Sequence, residues 1–426
     1  MRTILFAFAW ALFCLAPLRA IAEPLPSAAP DEVGLDSATL AEIDERMQSY
    51  VSDGKLAGIV LLIAREGRVA HAGVYGKMAL ETGQPMQRDT LFRIYSMTKP
   101  ITGVALMTLY DEGRFALDDP VSKYLSGFDQ LKVYAGKDGD IVKVEDLQRP
   151  ITIRDLMTHT AGLAYGLFPL NPVDAMYSEA KLLDRTKNLD NLLERLVKLP
   201  LAAQPGKKWM YSIAVDVQGK LIETLSGKPL DEYFAERILK PLAMDDTAFY
   251  VPSPKLDRLT VNYGKKDGRL SPVDGSTTSQ FASKPVLLSG GGGLISTADD
   301  YLRFAQMMLN RGELDGARIL RPETVDLMTR NHLPDKLVPI VLGPLPLANM
   351  GFGLDFAVRV KTAKGEPAGS LGEYGWGGAA STQFFVAPRE ELICVGMTQF
   401  MPSTPVYFQD AHKLLYAGLR EPAAAE

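Results

Sequence analysis

Ser96 and Lys99, within the run Arg93-Ile94-Tyr95-Ser96-Met97-Thr98-Lys99-Pro100, stand three residues apart. On a helix, positions i and i+3 share one face, so the lysine amine falls within reach of the serine hydroxyl. A serine hydroxyl is a weak nucleophile near neutral pH and needs a neighbouring base, which a desolvated lysine supplies. If Ser96 opens the helix, the positive end of the helix dipole also favours its alkoxide. Pro100 agrees with that placement, because proline is tolerated near a helix start and costly deeper in. The S-x-x-K spacing therefore reads as nucleophilic acyl-transfer chemistry. The two residues by themselves leave open a plain exposed helix face.

Other arrangements offer less. The four histidines, His71, His159, His332 and His412, have no metal-ligand spacing among them, and no H-E-x-x-H pattern occurs; neither a metal nor a cofactor is expected. His159 as the base of a Ser-His-Asp triad competes with a packed, hydrogen-bonded histidine, which is the preferred reading. Ala368 to Gly372 (AGSLG) only approaches the G-x-S-x-G elbow. Gly290 to Gly293 are not followed by Gly-Lys-Ser/Thr, so they read as a tight backbone turn and not a phosphate cradle.

The 426 residues, 46% hydrophobic and 23% charged, suffice for one large core or two smaller ones. Residues 1–22 combine Arg2, an apolar run from Ile4 to Leu18 and Ala20-Ile21-Ala22 before Glu23, the pattern of a cleaved leader. The apolar run is short for a membrane span, so no stable span is expected after cleavage. Export to the periplasm or beyond follows. Removal takes Arg2 and Arg19, so 46 basic residues become 44 against 51 acidic ones, a balance of −7. With no basic excess and no Lys/Arg-rich run, nucleic acid and anionic lipid are excluded as partners, leaving small molecules. Cys394 becomes the sole cysteine, which rules out an intramolecular disulfide; its apolar setting reads as a buried strand thiol.

These residues need a frame. Leu56 to Ala64 (LAGIVLLIA) and Gly67 to Gly76 predict two strands and a tight turn; Thr382 to Ala387 and Leu392 to Phe400 predict two more around Pro388–Glu391. Helical spacing marks Ser37 to Val51 and Val406 to Gly418. An α/β fold follows, with an antiparallel sheet built from both chain ends and flanked by helices. Residues 23–117 and 285–426 form this sandwich. Residues 118–284 read as a mainly helical insertion, with helices at Ile153–Met157, Leu189–Leu199, Ser212–Leu225 and Pro229–Leu239. Ser296 to Asp300 would cap a further helix, Asp300 to Leu309.

In combination, the S-x-x-K after an N-terminal hairpin, the loop Leu156 to Leu163 (LMTHTAGL) and Tyr211-Ser212-Ile213 after Pro205-Gly206 resemble the class C β-lactamase and DD-peptidase superfamily over nearly all of the mature chain. The resemblance implies that Tyr211 works with Lys99 in proton transfer. Ile213 stands where the family has an amide-binding asparagine, and Trp376-Gly377-Gly378 replace its Lys/His-Thr-Gly triplet. Those two departures, with Tyr211 to Val217 (YSIAVDV), resemble the family VIII carboxylesterases. By that resemblance the catalytic set is Ser96, Lys99, Tyr211 and Ala379, with the backbone N–H groups of Ser96 and Ala379 as oxyanion hole. Trp376, Gly377, Gly378 and Ile213 would contact substrate. A carboxylesterase acting on short or medium acyl esters is expected, with the loops Leu163–Asn171 and Pro339–Met350 as an apolar lining. A β-lactamase, a D-amino-acid peptidase, an acyltransferase and a non-catalytic binder of cell-wall peptides are the alternatives.

Overall fold

The computed structural model describes residues 24–139, 141–168, 171–343, 345–362 and 371–420. The leader, its cleavage point, Cys14, the AGSLG segment up to Ser370, Pro169, Leu170 and Pro344 lie outside the described residues.

Strand β1 (Gly58–Arg65) explains why its apolar run is unbroken. Side chains alternate between the faces of a strand. Here Val60, Leu62 and Ala64 enter the main core, while Ile59, Leu61 and Ile63 enter a second one. A strand buried on both faces has no polar side to show. The remaining strands are β2 (Arg68–Ala79), β3 (Gln84–Pro85), β4 (Met350–Phe352), β5 (Ala357–Arg359), β6 (Tyr374–Gly377), β7 (Gln383–Ala387) and β8 (Leu392–Met397). They form one sheet in the order β4-β5-β6-β7-β8-β1-β2-β3, antiparallel throughout. The two ends of the chain meet where β1 pairs β8, Ile63 opposite the buried Cys394.

Helices α1 (Ser37–Ser52) and α5 (Val406–Ala417) cover one face through Ile43, Met47, Tyr407 and Leu415. The other face carries α2 (Thr98–Asp111), α3 (Ala214–Ser226) and α4 (Ala298–Leu309). Every residue of α2 from Thr98 to Leu109 is buried; a helix apolar nearly all round sits at the centre of a domain, and this one carries Lys99. Thr297 caps α4 by accepting from Asp300 N–H, so the helix starts at Ala298, two residues before the expected position.

The middle of the chain is mainly helical, with Ile153–Met157, Pro172–Glu179, Leu189–Leu196, α3 and Leu230–Phe234, the last running into a wider turn over Ala235–Leu239. It also holds two hairpins that the helical reading passed over, Lys132–Asp138 with Ile141–Asp146 and Asn262–Lys266 with Arg269–Asp274. The second turns at Asp267-Gly268, with left-handed φ of 52° and 77°, and the first leaves its strand after Asp138 at Gly139, with φ of 61°. Asp-Gly is a strong hairpin signal; polar, mostly exposed strands hid it. Val261 and Tyr263 already pack in the second core, so the chain rejoins the sheet well before Lys284.

Candidate active site

Ser96 lies in a single 3-10 turn, Tyr95–Met97, that feeds directly into α2. Tyr95 holds φ at 41°, a conformation uncommon for a side-chain-bearing residue and typical of functional turns. Backbone bonds fix the segment: Ile94 N–H donates to Leu294 O at 3.1 Å, and Tyr301 Oη donates to Met97 O at 2.8 Å. Thr98 Oγ1 accepts from Leu294 N–H at 3.1 Å. The Ser96 turn is thereby tied to the exit of the Gly290–Gly293 run.

One turn on, the fully buried Lys99 donates from Nζ to Gly291 O (2.6 Å), Tyr165 Oη (3.2 Å) and Ser96 Oγ (3.3 Å). The rings of Tyr211 and Tyr165 face the ammonium with centroids at 4.6 and 5.0 Å. Tyr211 Oη hydrogen-bonds Ser96 Oγ at 2.6 Å and accepts from Trp376 Nε1 at 3.4 Å. Burial alone would lower the Lys99 ammonium, but the oxygens of Tyr165 and Tyr211 and the Asp216 carboxyl together raise it above the usual lysine range.

The glycine run is required by close approach. A Cβ on Gly291 would lie 2.5 Å from Asp216 Oδ2, and one on Gly290 would lie 2.7 Å from Val215 O. Gly291 and Asp216 are site-adjacent residues that sequence reasoning did not assign, and Tyr165, inside the Leu163–Asn171 loop expected to line the pocket, was given no contact with Lys99. Asp216 stood inside the quoted YSIAVDV motif, whereas Tyr165 carries no local signal beyond being an aromatic in a Gly-bearing loop.

Trp376, Gly377 and Gly378 end β6 and enter a tight turn in which Gly378 N–H donates to Thr382 O and Ser381 N–H to Gly378 O. A Cβ on Gly378 would sit 2.4 Å from Ile94 O, so this turn presses on the backbone two residues before Ser96 and leaves Ala379 exposed at its tip. Trp376 is largely buried, packed on Tyr211 and Phe352. Ile213 departs from the expectation of substrate contact. It is fully buried in the main core, caps α3 and bonds from its N–H to Ala164 O, with no surface left for a substrate.

His159 does not touch Ser96. Its Nδ1 bonds Ser212 Oγ at 3.0 Å, and its ring packs against Trp209, Tyr211 and Phe352. Burial, then the charge of Lys99, push its pKa well below the ordinary value, so it stays neutral. The two apolar loops meet where Phe168 lies against Gly343, with Leu167 and Val341 exposed on them. Among the described residues no cluster of His, Cys, Asp and Glu could hold a metal, and no helix is long and apolar enough to cross a membrane.

A family model described as Beta-lactamase matches residues 43–419. Protein Rv1367c of Mycobacterium tuberculosis is 37% identical over 359 residues, 83% of this chain and 88% of that protein. Esterase EstB of Burkholderia gladioli is 32% identical over 381 residues, 84% of this chain and 90% of the esterase. Among solved structures, EstCE1, described as a hydrolase with promiscuous acyltransferase activity, matches with a TM-score of 0.75 at 28% identity, over 89% of this chain and 99% of that one.

Proposed function

The chain belongs to the β-lactamase family, and from that premise we propose that it is an exported serine carboxylesterase for small esters with short or medium apolar acyl groups. The observation that carries this reading is the contact of Ser96 Oγ with both Tyr211 Oη, at 2.6 Å, and Lys99 Nζ, at 3.3 Å. Ser96 attacks the ester carbonyl and its proton passes to the Tyr211–Lys99 pair. The tetrahedral oxyanion is received by the N–H groups of Ser96 and Ala379, each such donor contributing roughly 3 to 4 kcal/mol. Tyr211 returns the proton to the departing alcohol, and water repeats the sequence on the acyl-enzyme. Trp376 supplies an aromatic wall, and the meeting of Phe168 with Gly343 supports an apolar acyl region.

A lactam antibiotic presents an amide and a carboxylate that ask for a buried amide partner and a cation. The buried Ile213 and Trp376 offer neither, and each unpaired polar group costs roughly 1 to 3 kcal/mol. The test compares kcat/KM for p-nitrophenyl butyrate and nitrocefin on one preparation. Faster turnover of the ester is expected, and a ratio favouring nitrocefin overturns the ester assignment. The likeness to EstCE1 supports acyl transfer to alcohols as a second reading; transesterified product on addition of an alcohol is its signature. Export rests on the order of Arg2, the apolar run and Ala20-Ile21-Ala22. Amino-terminal sequencing of native protein is expected to begin at Glu23, and an intact Met1 overturns it.

A further inference from the structure

We propose that Asp216 is the buried counter-charge of Lys99 and a positioning residue for the Ser96–Lys99–Tyr211 unit, acting through Gly291. The proposal rests on the reading of Lys99 as part of the proton-transfer pair. Asp216 is fully enclosed in the first turn of α3, five residues after Tyr211, so one short stretch of chain delivers the phenol to Ser96 and a carboxyl towards the lysine. Its Oδ1 accepts from Ser289 Oγ at 2.5 Å and from Gly291 N–H at 3.2 Å. The same glycine turns its carbonyl to Lys99 Nζ at 2.6 Å. Residue 291 is therefore a spacer with its N–H on the acid and its C=O on the base. A side chain there would press on Asp216 Oδ2 at 2.5 Å and Tyr165 Oη at 3.1 Å, so the carboxyl and the second tyrosine converge on that Cα. Asp216 Oδ2 has no hydrogen-bond partner among the described residues. A charge left in so enclosed a place needs an opposite charge close by, and Lys99 is the cation there.

The groups facing Lys99 come from every element packed on it: Ser96 from its own turn, His159 and Tyr165 from the loop after Ile153–Met157, Tyr211 and Asp216 at the start of α3, and Asp355 before β5. His159 has no anionic form and supplies no counter-charge to an ammonium. Asp355 is the rival. Its Oδ1 takes one bond, from Gln218 Nε2 at 3.1 Å, and its Oδ2 has no partner among the described residues. Burial pushes the Asp355 carboxyl well above the ordinary carboxylate value, against the pull of Gln218 and Lys99. Burial raises Asp216 too, but Ser289, Lys99 and the Gly291 N–H pull it back. Two donors at one oxygen, and a residue shared with the lysine, single out Asp216.

Asp216→Asn keeps an acceptor for Ser289 and Gly291 and removes only the charge. With the full chain and p-nitrophenyl butyrate, the acidic limb of kcat/KM against pH is expected to move about one unit lower, a tenfold change in proton concentration, because the ammonium has lost its counter-charge. KM should stay within about twofold, as expected of a residue that does not touch substrate. Ser289→Ala, which removes a bond and keeps the charge, should leave the limb in place. A limb unmoved in Asp216→Asn, with activity merely scaled down, overturns the proposal. A second measurement needs no activity: melting of Lys99→Met, Asp216→Asn and the double variant. Losses that fall well short of adding, or recovery of folding in the double variant where Asp216→Asn alone fails to fold, support the pairing. Additive losses, or a double variant that also fails to fold, overturn it. If the wild type does not cleave the ester, the catalytic reading fails, and the melting cycle still decides the pairing.

Discussion

Replacing Trp376 with phenylalanine separates two roles that a single side chain carries. The indole packs on Tyr211 with ring centroids 5.4 Å apart, and its Nε1 donates to Tyr211 Oη at 3.4 Å. Phenylalanine keeps most of the aromatic wall and deletes the donor. In the proposed mechanism Tyr211 Oη relays a proton from Ser96 towards Lys99 and gains negative character, so a donor aimed at it would bind more strongly in the transition state than at rest. A hydrogen bond to a charged group stabilises by roughly 1.5 to 3 kcal/mol against about 1 for a neutral one, and at this long distance the difference falls near about 1 kcal/mol. That corresponds to about a fivefold loss of kcat. KM for p-nitrophenyl butyrate should hold within about twofold, because an interaction made only in the transition state does not alter ground-state binding. The assay is steady-state hydrolysis by wild type and Trp376→Phe across pH, with melting to confirm folding. An unchanged kcat with a raised KM would refute the reasoning and leave Trp376 as a passive wall.

Ser96→Ala should abolish turnover and labelling by an active-site serine phosphonate while the protein still melts cooperatively, since the loss at a helix entry is roughly 1 kcal/mol; persistent labelling would place the nucleophile elsewhere. Gly378→Ala should lower kcat at least tenfold by driving a Cβ against Ile94 O and displacing the Ala379 N–H, one donor being worth roughly 3 kcal/mol; normal kcat would remove Ala379 from the oxyanion hole. Asp300, buried beneath Thr247 and the Asp246 N–H, is pushed up to about 7 by desolvation. Its raised value means that the folded state holds the proton more tightly, so its contribution is fully present below pH about 4 and fades as pH rises through 7. Asp300→Asn should therefore flatten the fall in melting temperature between pH 5 and pH 8, and an unchanged slope would assign that fall to other groups.

The sequence carried what is local. Ser96 and Lys99 are one helical turn apart, so their meeting needs no knowledge of the fold, and the Thr152–Asp155 capping box that starts Ile153–Met157 is as legible. Tyr165 and Gly291 bond Lys99 and Asp216 bonds Gly291, which joins three separate stretches of chain to the lysine, and only tertiary packing brings them together. Ile213 shows the opposite failure. A position matched by motif was expected at the substrate, but an isoleucine is stable in the core, and there the chain placed it. The Asp-Gly hairpins were readable from their turns, yet their exposed strands lack the apolar alternation that marks a strand.

The pairing of β1 with β8 fixes an order of events. Thr398 Oγ1 closes on Gly58 O across 340 residues of chain, a contact of very long range, and such contacts form late and slowly. Until the last strands arrive, β1 has no neighbour on that side and both cores stand open along it. The Ser96 turn is pressed from behind by Gly378, which precedes β7, so that turn completes its packing only when the carboxyl-terminal hairpin docks. On the proposed reading, a chain cut short before β8 would hydrolyse no ester, and a growing chain would stay chemically silent until its final strands are in place.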